Sequence, residues 1–370
     1  MPPRLRCSVR RLRGSKYIVV LIVLGCHNAP GGGTLFAMRA FPGTMTESLH
    51  ILQFVALSMV VVAAESGSSQ SVPVYSCEEV DSWGDRNGEE LFAIGGLAVS
   101  PDNTVYATDS FDYSVKMFAP GKGLIGRFGR RGRGPQEFSY PYAIAVQRDT
   151  IAVVDIYSHQ VRLFLPDGTG VRSLRSSTSP FDVGFDRQGN VWVASVTVRP
   201  EERVVAYDRT GRRLRSIIIG SGDLRKYLLE TVILATNSMQ DMVVLATVFA
   251  NRLCVYDPRG RLITEVSIPD LPERAEVDNE YGDEVLPVRD VIKDIAVDQK
   301  GNIFVLGGTE SPHKARDVYI LSPSGRLQGR LLLPFASNLV ALDGEGFLYG
   351  TANDRTVIKK YRLKTDREHR

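Results

Sequence analysis

The side chains in this sequence that could carry chemistry are few and scattered. Asp109 and Asp155 stand at corresponding points, each ending a run of apolar and β-branched residues. A carboxylate placed there can accept the backbone amide hydrogens of an adjoining loop, and that structural role is the expectation for both. Arg130-Arg131-Gly132-Arg133 is a basic loop suited to pairing with an anion. The same composition also describes a solvated loop. Gly132-Arg133-Gly134 is no phosphate cradle, because neither Lys-Ser/Thr nor a helix-forming stretch follows it. His159 and His313 are the histidines of the region 72–363, and neither lies in a nucleophile motif. Asp155, Asp294 and Asn338 are the set that could converge into a carboxylate and amide cage. Between 269 and 288 the chain gathers Asp270, Glu273, Glu276, Asp278, Glu280, Asp283 and Glu284. These lack the alternating spacing of a calcium loop. No catalytic residue, metal site or cofactor is assigned.

The elements that must position these residues form a repeat. A module recurs six times between about Leu97 and Leu363, with an apolar run, a polar turn, a β-branched run, a second apolar run and a Gly-closed turn. The second runs begin near Val105, Ile151, Val191, Val243, Ile303 and Phe347. The third runs are 115–118, 161–164, 204–207, 253–256, 318–321 and 358–361. Turns such as Pro166-Asp167-Gly168 and Asp257-Pro258-Arg259-Gly260 follow, where Pro presets φ and Gly accepts positive φ. Four short strands repeated every 40–50 residues or so imply an all-β, six-bladed β-propeller with four-stranded antiparallel blades. Small residues in the first runs, Gly96-Leu97-Ala98-Val99 and Ala143-Ile144-Ala145-Val146, suit strands crowded around an axis. The sixth module shows three clear strands, so the ring is expected to close with an N-terminal strand from the segment 72–80. The insertion 221–231 predicts one or two helical turns.

In such a ring the second-to-third strand loops share a face with the blade-to-blade connections. That face collects Tyr113, Tyr157, His159, Arg203, Arg252, Arg316 and Arg355 beside Arg130, Arg131 and Arg133. Function concentrates in loops on rigid scaffolds, and Arg and Tyr are interface residues. This face is therefore the candidate surface for a protein, peptide or glycan.

Three stretches carry a resemblance to a known family: Tyr106-Ala107-Thr108-Asp109-Ser110, the run 153–164, and the Phe-Gly-x-x-Gly-x-Gly-Pro-x-Glu-Phe stretch at 128–138. They resemble the NHL-repeat six-bladed propellers, and most of all the secreted bacterial group. The resemblance covers about 72–363, and its motifs are specific in the first two modules. Ser195 and Thr247 stand where the family pattern has Asp. Intact blade chemistry without a catalytic constellation reads as an exported, non-catalytic binding scaffold. The alternative it leaves open is a metal-dependent hydrolase, lactonase-like or lyase propeller.

Charge divides the chain. The whole is formally +3, but residues 1–64 carry +6, which leaves 65–370 at −3. Global charge gives no support to a nucleic-acid partner. Arg10, Arg11, Arg13 and Lys16 precede the apolar run 17–25, and a second apolar run, 51–64, ends in Val62-Ala63-Ala64. A basic start, a short apolar core and small residues form a secretory leader with cleavage before Glu65. Translation starting at Met38 or Met45, lipid attachment at Cys26 or a retained membrane anchor are the other readings. The division expected is a leader at 1–64, a linker at 65–71, the propeller at 72–363 and a charged tail at 364–370. The protein is expected to be a monomer exported to the periplasm, cell surface or medium, touching membrane only through an uncleaved or lipidated leader. Cys77 and Cys254 fall in separate modules, so no disulfide is expected.

Overall fold

A computed structural model describes residues 6–10, 19–23, 72–85, 90–223, 226–237, 239–278, 286–307 and 315–365. The chain divides into two units, 1–71 and 72–370. In the first, Arg6–Arg10 pairs antiparallel with Val19–Val23. The cleavage point and the linker at 65–71 lie outside the described residues.

The second unit is all-β, with no α-helix among its described residues. Four of its sheets have four strands each, in sequence order from one edge to the other. The first sheet holds Ile94–Val99, Val105–Asp109, Ser114–Ala119 and Gly123–Phe128. The second runs from Pro141–Gln147 to Gly170–Arg175, the third from Ser179–Phe185 to Arg213–Ile217, and the fourth from Val232–Asn237 to Leu262–Val266. Two sheets remain among the described residues: a small one pairs Val277–Asp278 with Leu286–Pro287, and the other has eight strands. One half is Ile292–Val297, Ile303–Gly307, Ala315–Leu321 and Leu327–Ser337. The other is Val340–Leu342, Leu348–Ala352, Val357–Thr365 and Val74–Trp83. Each half repeats the four-strand pattern.

The strand missing from the last module is thus Val74–Trp83. It pairs antiparallel with Val357–Thr365, from Ile358↔Trp83 to Thr365↔Tyr75. It also makes a short parallel contact with the neighbouring half, Arg330↔Val74 and Leu331↔Tyr75, which fuses the two halves into one sheet. The last strand reaches Thr365, two residues into the segment expected as a tail.

The first strand of each module touches the first strand of the next, and Val340–Leu342 returns to Ile94–Val99. A two-faced sheet must cover both faces, and radial stacking does so. Apolar clusters fill the gaps between successive modules; one joins Tyr106, Val115 and Phe138 to Ile144, Val153 and Phe164. The closing cluster joins Trp83, Tyr349 and Ile358 to Ile94, Val105 and Phe118. Trp83 is fully buried, with its ring stacked 6.1 Å from Tyr349. Crowding at the axis explains the small residues there: a Cβ on Gly96 would stand 2.5 Å from the Tyr142 carbonyl oxygen.

The turns behave as their residues predict. A bulge falls late in the third strand of five modules, at Met117/Phe118, Leu163/Phe164, Ala206/Tyr207, Val255/Tyr256 and Ile320/Leu321. The turn after each holds a glycine at positive φ, such as Gly168 at 84°. In the insertion at 221–231, the described stretch 226–230 is a turn in which the Glu230 amide donates to the Lys226 carbonyl at 3.1 Å.

Candidate functional site

The repeated Asp works on loop backbone. Asp109 accepts from the amides of Phe92 (2.8 Å) and Ala93 (3.1 Å), and Asp155 from those of Ser139 (3.1 Å) and Tyr140 (2.7 Å). Each carboxylate thereby pins the connection that enters its own module. A buried cation on the third strand completes each arrangement, Lys116 at 2.8 Å from Asp109 and Arg162 at 3.3 Å from Asp155. Asp155 therefore does not join Asp294 and Asn338, which line a cavity at the ring's centre.

Where Ser195 replaces the repeated Asp, a different carboxylate serves. Arg203 is fully buried, and its guanidinium donates to the Thr197 and Ile219 carbonyls and to Glu230 at 2.9 Å. Sequence reasoning placed Arg203 on the binding face; burial and these bonds take it away from solvent. Arg252 makes a two-pronged pair with Glu265, at 2.9 and 3.0 Å, along the strand pair of the fourth module. Arg316 donates to the Leu333 carbonyl. His313 lies outside the described residues. His159 is exposed at φ 53° and faces the Thr178 carbonyl through Nδ1 at 3.1 Å.

The other candidates come together in two places. The first is an open lateral cleft of about 550 Å³, walled by Arg131, Arg133, Ser139, Tyr157, Gln160 and Arg162. Glu137 shapes it: its carboxylate accepts from Arg130 Nε (2.9 Å) and from the amides of Arg133 (3.0 Å) and Gly134 (2.8 Å). Arg130 is thereby neutralised locally, while its hydrogen bonds and the cation hold the Glu137 carboxyl below its usual range. Arg131 lies over the Tyr113 ring at 5.4 Å, and Arg133 stands exposed at the cleft wall. Tyr157 is 70% exposed.

The second place is the axial cavity, about 570 Å³, walled by first strands and by Tyr142, Phe181, Asp182, Asp294 and Arg355. Sequence reasoning missed Asp182 and Tyr142. A register shift before Asp182 and before Asp294 is the local signal. Each carboxyl spans to the next module. Asp182 accepts from the amides of Val183 (2.8 Å) and Leu234 (2.7 Å), and Asp294 from those of Ile295 (2.9 Å) and Val340 (2.7 Å). Loss of water around them outweighs these bonds, and it pushes Asp182 up to about 7 and Asp294 to about 8. Burial likewise pushes the Tyr142 hydroxyl up to about 12.

These carboxyls set a pH dependence. Asp294 binds its proton far more tightly folded than unfolded, where its value is near 3.8. Protonation therefore favours the folded state, and the contribution is full at low pH and lost as pH rises toward 8. Urea midpoints at about pH 5 and about pH 9 should show this loss, and Asp294→Asn, neutral throughout, should shrink it. An equal loss in the variant would contradict the assignment. Among the described residues no group of three or more His, Cys, Asp or Glu is arranged to hold a metal ion. Cys77 and Cys254 are unbridged.

No family model matches the chain. A stretch of 174 residues is 25% identical to Protein brain tumor of Drosophila melanogaster, covering 46% of this chain and 16% of that protein. The chain thus spans well under two thirds of the length of the curated relative it matches. A member of the DUF4221 family from Bacteroides vulgatus superposes with a TM-score of 0.55 at 12% identity, over 78% of this chain and 99% of that one. The WD40 repeats of RRP9 superpose with a TM-score of 0.51 at 12% identity, over 80% of this chain and 99% of theirs. Identities this low speak for architecture alone, and with the cyclic stacking of sheets they make the chain a β-propeller.

Proposed function

We propose that this chain is an exported, non-catalytic binding propeller of the NHL-repeat type, whose loop face recognises an anionic partner. We read the eight-stranded sheet as two fused blades, six in all; the four-strand pattern of each half and the cyclic order of the first strands support this reading. The observation that carries the function is the lateral cleft. Arg131 and Arg133 stand exposed on its wall beside the exposed ring of Tyr157. Guanidinium groups bind carboxylates and phosphates in a planar, two-pronged way.

The paired variant Arg131→Glu/Arg133→Glu should lose about tenfold or more in affinity for whatever the wild type captures from extracellular fractions. Its thermal midpoint should stay near wild type, since both side chains are exposed. Retained capture by this variant would end the reading. Hydrolysis of lactones or esters by the wild type, abolished on chelation, would favour the enzymatic alternative.

Export rests on the basic start and the apolar runs ahead of Glu65. Mass spectrometry of the exported protein should find an N-terminus near Glu65. An intact leader or a lipid on Cys26 would overturn that assignment.

A further inference from the structure

Four aromatic rings run in a row from the lateral cleft to the axial cavity. Tyr157, on the cleft wall, lies 4.8 Å from Tyr140 between ring centres. Tyr140 lies 6.4 Å from Tyr142 with the planes 18° apart, and Tyr142 lies 5.2 Å from Phe181. The last two rings line the cavity. The row draws on the connection into the second module, its first strand, the turn after its second strand and the first strand of the third module. The two ends of the row differ in chemistry. Arg131 and Arg133 stand at the outer end, while Asp182 and Asp294 stand at the inner end with Arg355.

We infer that this row is a binding track for an oligosaccharide that carries its acidic group at one end, with that group in the Arg131/Arg133 cleft and its neutral sugar units on the tyrosines. The inference rests on the loop-face reading and names its ligand class. Tyr rings are rigid and amphipathic, so they offer contact area at small entropic cost. The CH face of a pyranose stacks on such a ring while its hydroxyls reach the tyrosine hydroxyls and the axial carboxyls. Those carboxyls hold protons near neutral pH, so they can donate to a sugar oxygen. A cavity of about 570 Å³ has the size of a small-ligand site.

The rival polymers fit less well. An extended peptide adds to a sheet through free main-chain groups, yet much of the main chain here is already paired. The Leu234 and Val340 amides are held by Asp182 and Asp294, and the Pro141 and Tyr142 carbonyls by Ser110 and Thr108. A single-stranded nucleic acid would stack its bases on the rings. Its phosphates, one per unit, would call for a cation at every step, whereas Arg131 and Arg133 stand together at the outer end.

Titration calorimetry on the full chain tests the track with mono- to tetrasaccharides ending in glucuronic acid and with their neutral counterparts. Affinity should rise about tenfold or more from the acidic mono- to the tetrasaccharide, and the neutral series should bind more weakly by a similar factor. Tyr140→Ala should remove the length dependence and leave monosaccharide binding intact, while Tyr140→Phe, which keeps the ring, should preserve both. Equal affinity at every length, with Tyr140→Ala silent, would overturn the track and leave the arginine cleft standing. Insensitivity to Arg131→Glu/Arg133→Glu would instead remove the loop-face reading beneath it. Failure of every saccharide to bind, or tighter binding of an acidic proline-rich peptide or a single-stranded oligonucleotide, would overturn the ligand class.

Discussion

A chain lacking residues 72–83 should fail to unfold as one cooperative unit. The deletion removes the strand that pairs with Val357–Thr365, leaving that strand's outer edge bare. It also removes Trp83, which is fully buried between Tyr349 and Phe118, with ring centres 6.1 and 6.4 Å away. The cluster that joins the last module to the first would lose its largest member. Truncation of that one side chain, Trp83→Ala, isolates the packing part of the effect. It should cost about 3–5 kcal/mol in urea denaturation, the usual price of emptying a buried aromatic site. The deletion should cost more and broaden the transition. An unchanged midpoint for the deletion would show that the ring does not depend on this strand.

Asp109→Ala should be the most damaging single change among the charged residues. Asp109 and Lys116 side chains are 0% and 4% exposed. Removal of the carboxylate leaves the buried ammonium to Asp112 (2.8 Å), the Glu90 carbonyl and the face of the Phe92 ring. It also strips the amides of Phe92 and Ala93 of their acceptor, which frees the connection into the first module. Breaking one side of a buried pair costs about 3–5 kcal/mol. Chemical denaturation gives the size, and hydrogen exchange at Phe92 and Ala93 gives the cause. Replacing both partners, as in Asp109→Leu/Lys116→Met, should recover part of the loss, because no buried ammonium is left short of its partner and Asp112, 22% exposed, keeps access to water. A double variant as unstable as Asp109→Ala would assign the loss to the loop amides instead. Asp155 and Arg162 should follow the same rule.

The architecture was legible because it rests on local signals repeated along the chain. Gly121, Gly168, Gly211, Gly260 and Gly325 each sit at positive φ in the turns their neighbours announced. The third strands at 204–207 and 253–256 fall where the apolar runs placed them. The site was legible only in part. Arg131, Arg133 and Tyr157 gather because they lie on two loops of one module, the connection that enters it and the turn after its second strand. Arg203 was misplaced because its partner, Glu230, belongs to a connection whose path no local pattern reveals. Tyr140, Tyr142 and Phe181 looked like ordinary strand and loop aromatics, since their alignment depends on how two modules stack. Asp182 was hidden for a similar reason, and Asp294 was grouped with Asp155 instead: each axial carboxyl bonds the backbone of the following module, and only the closed ring brings the two together at its centre.

The pairing of Val74–Trp83 with Val357–Thr365 also has a meaning in time. A ribosome makes the first of these strands before any other strand of the ring and the second after all the others. Throughout synthesis the early strand must wait without its antiparallel partner, and the entropy of bringing such distant segments together is met only at the end. The propeller therefore cannot finish folding while it is being made. An unpaired edge persists until the last strand emerges, and over that interval the nascent chain depends on being kept apart from its own copies.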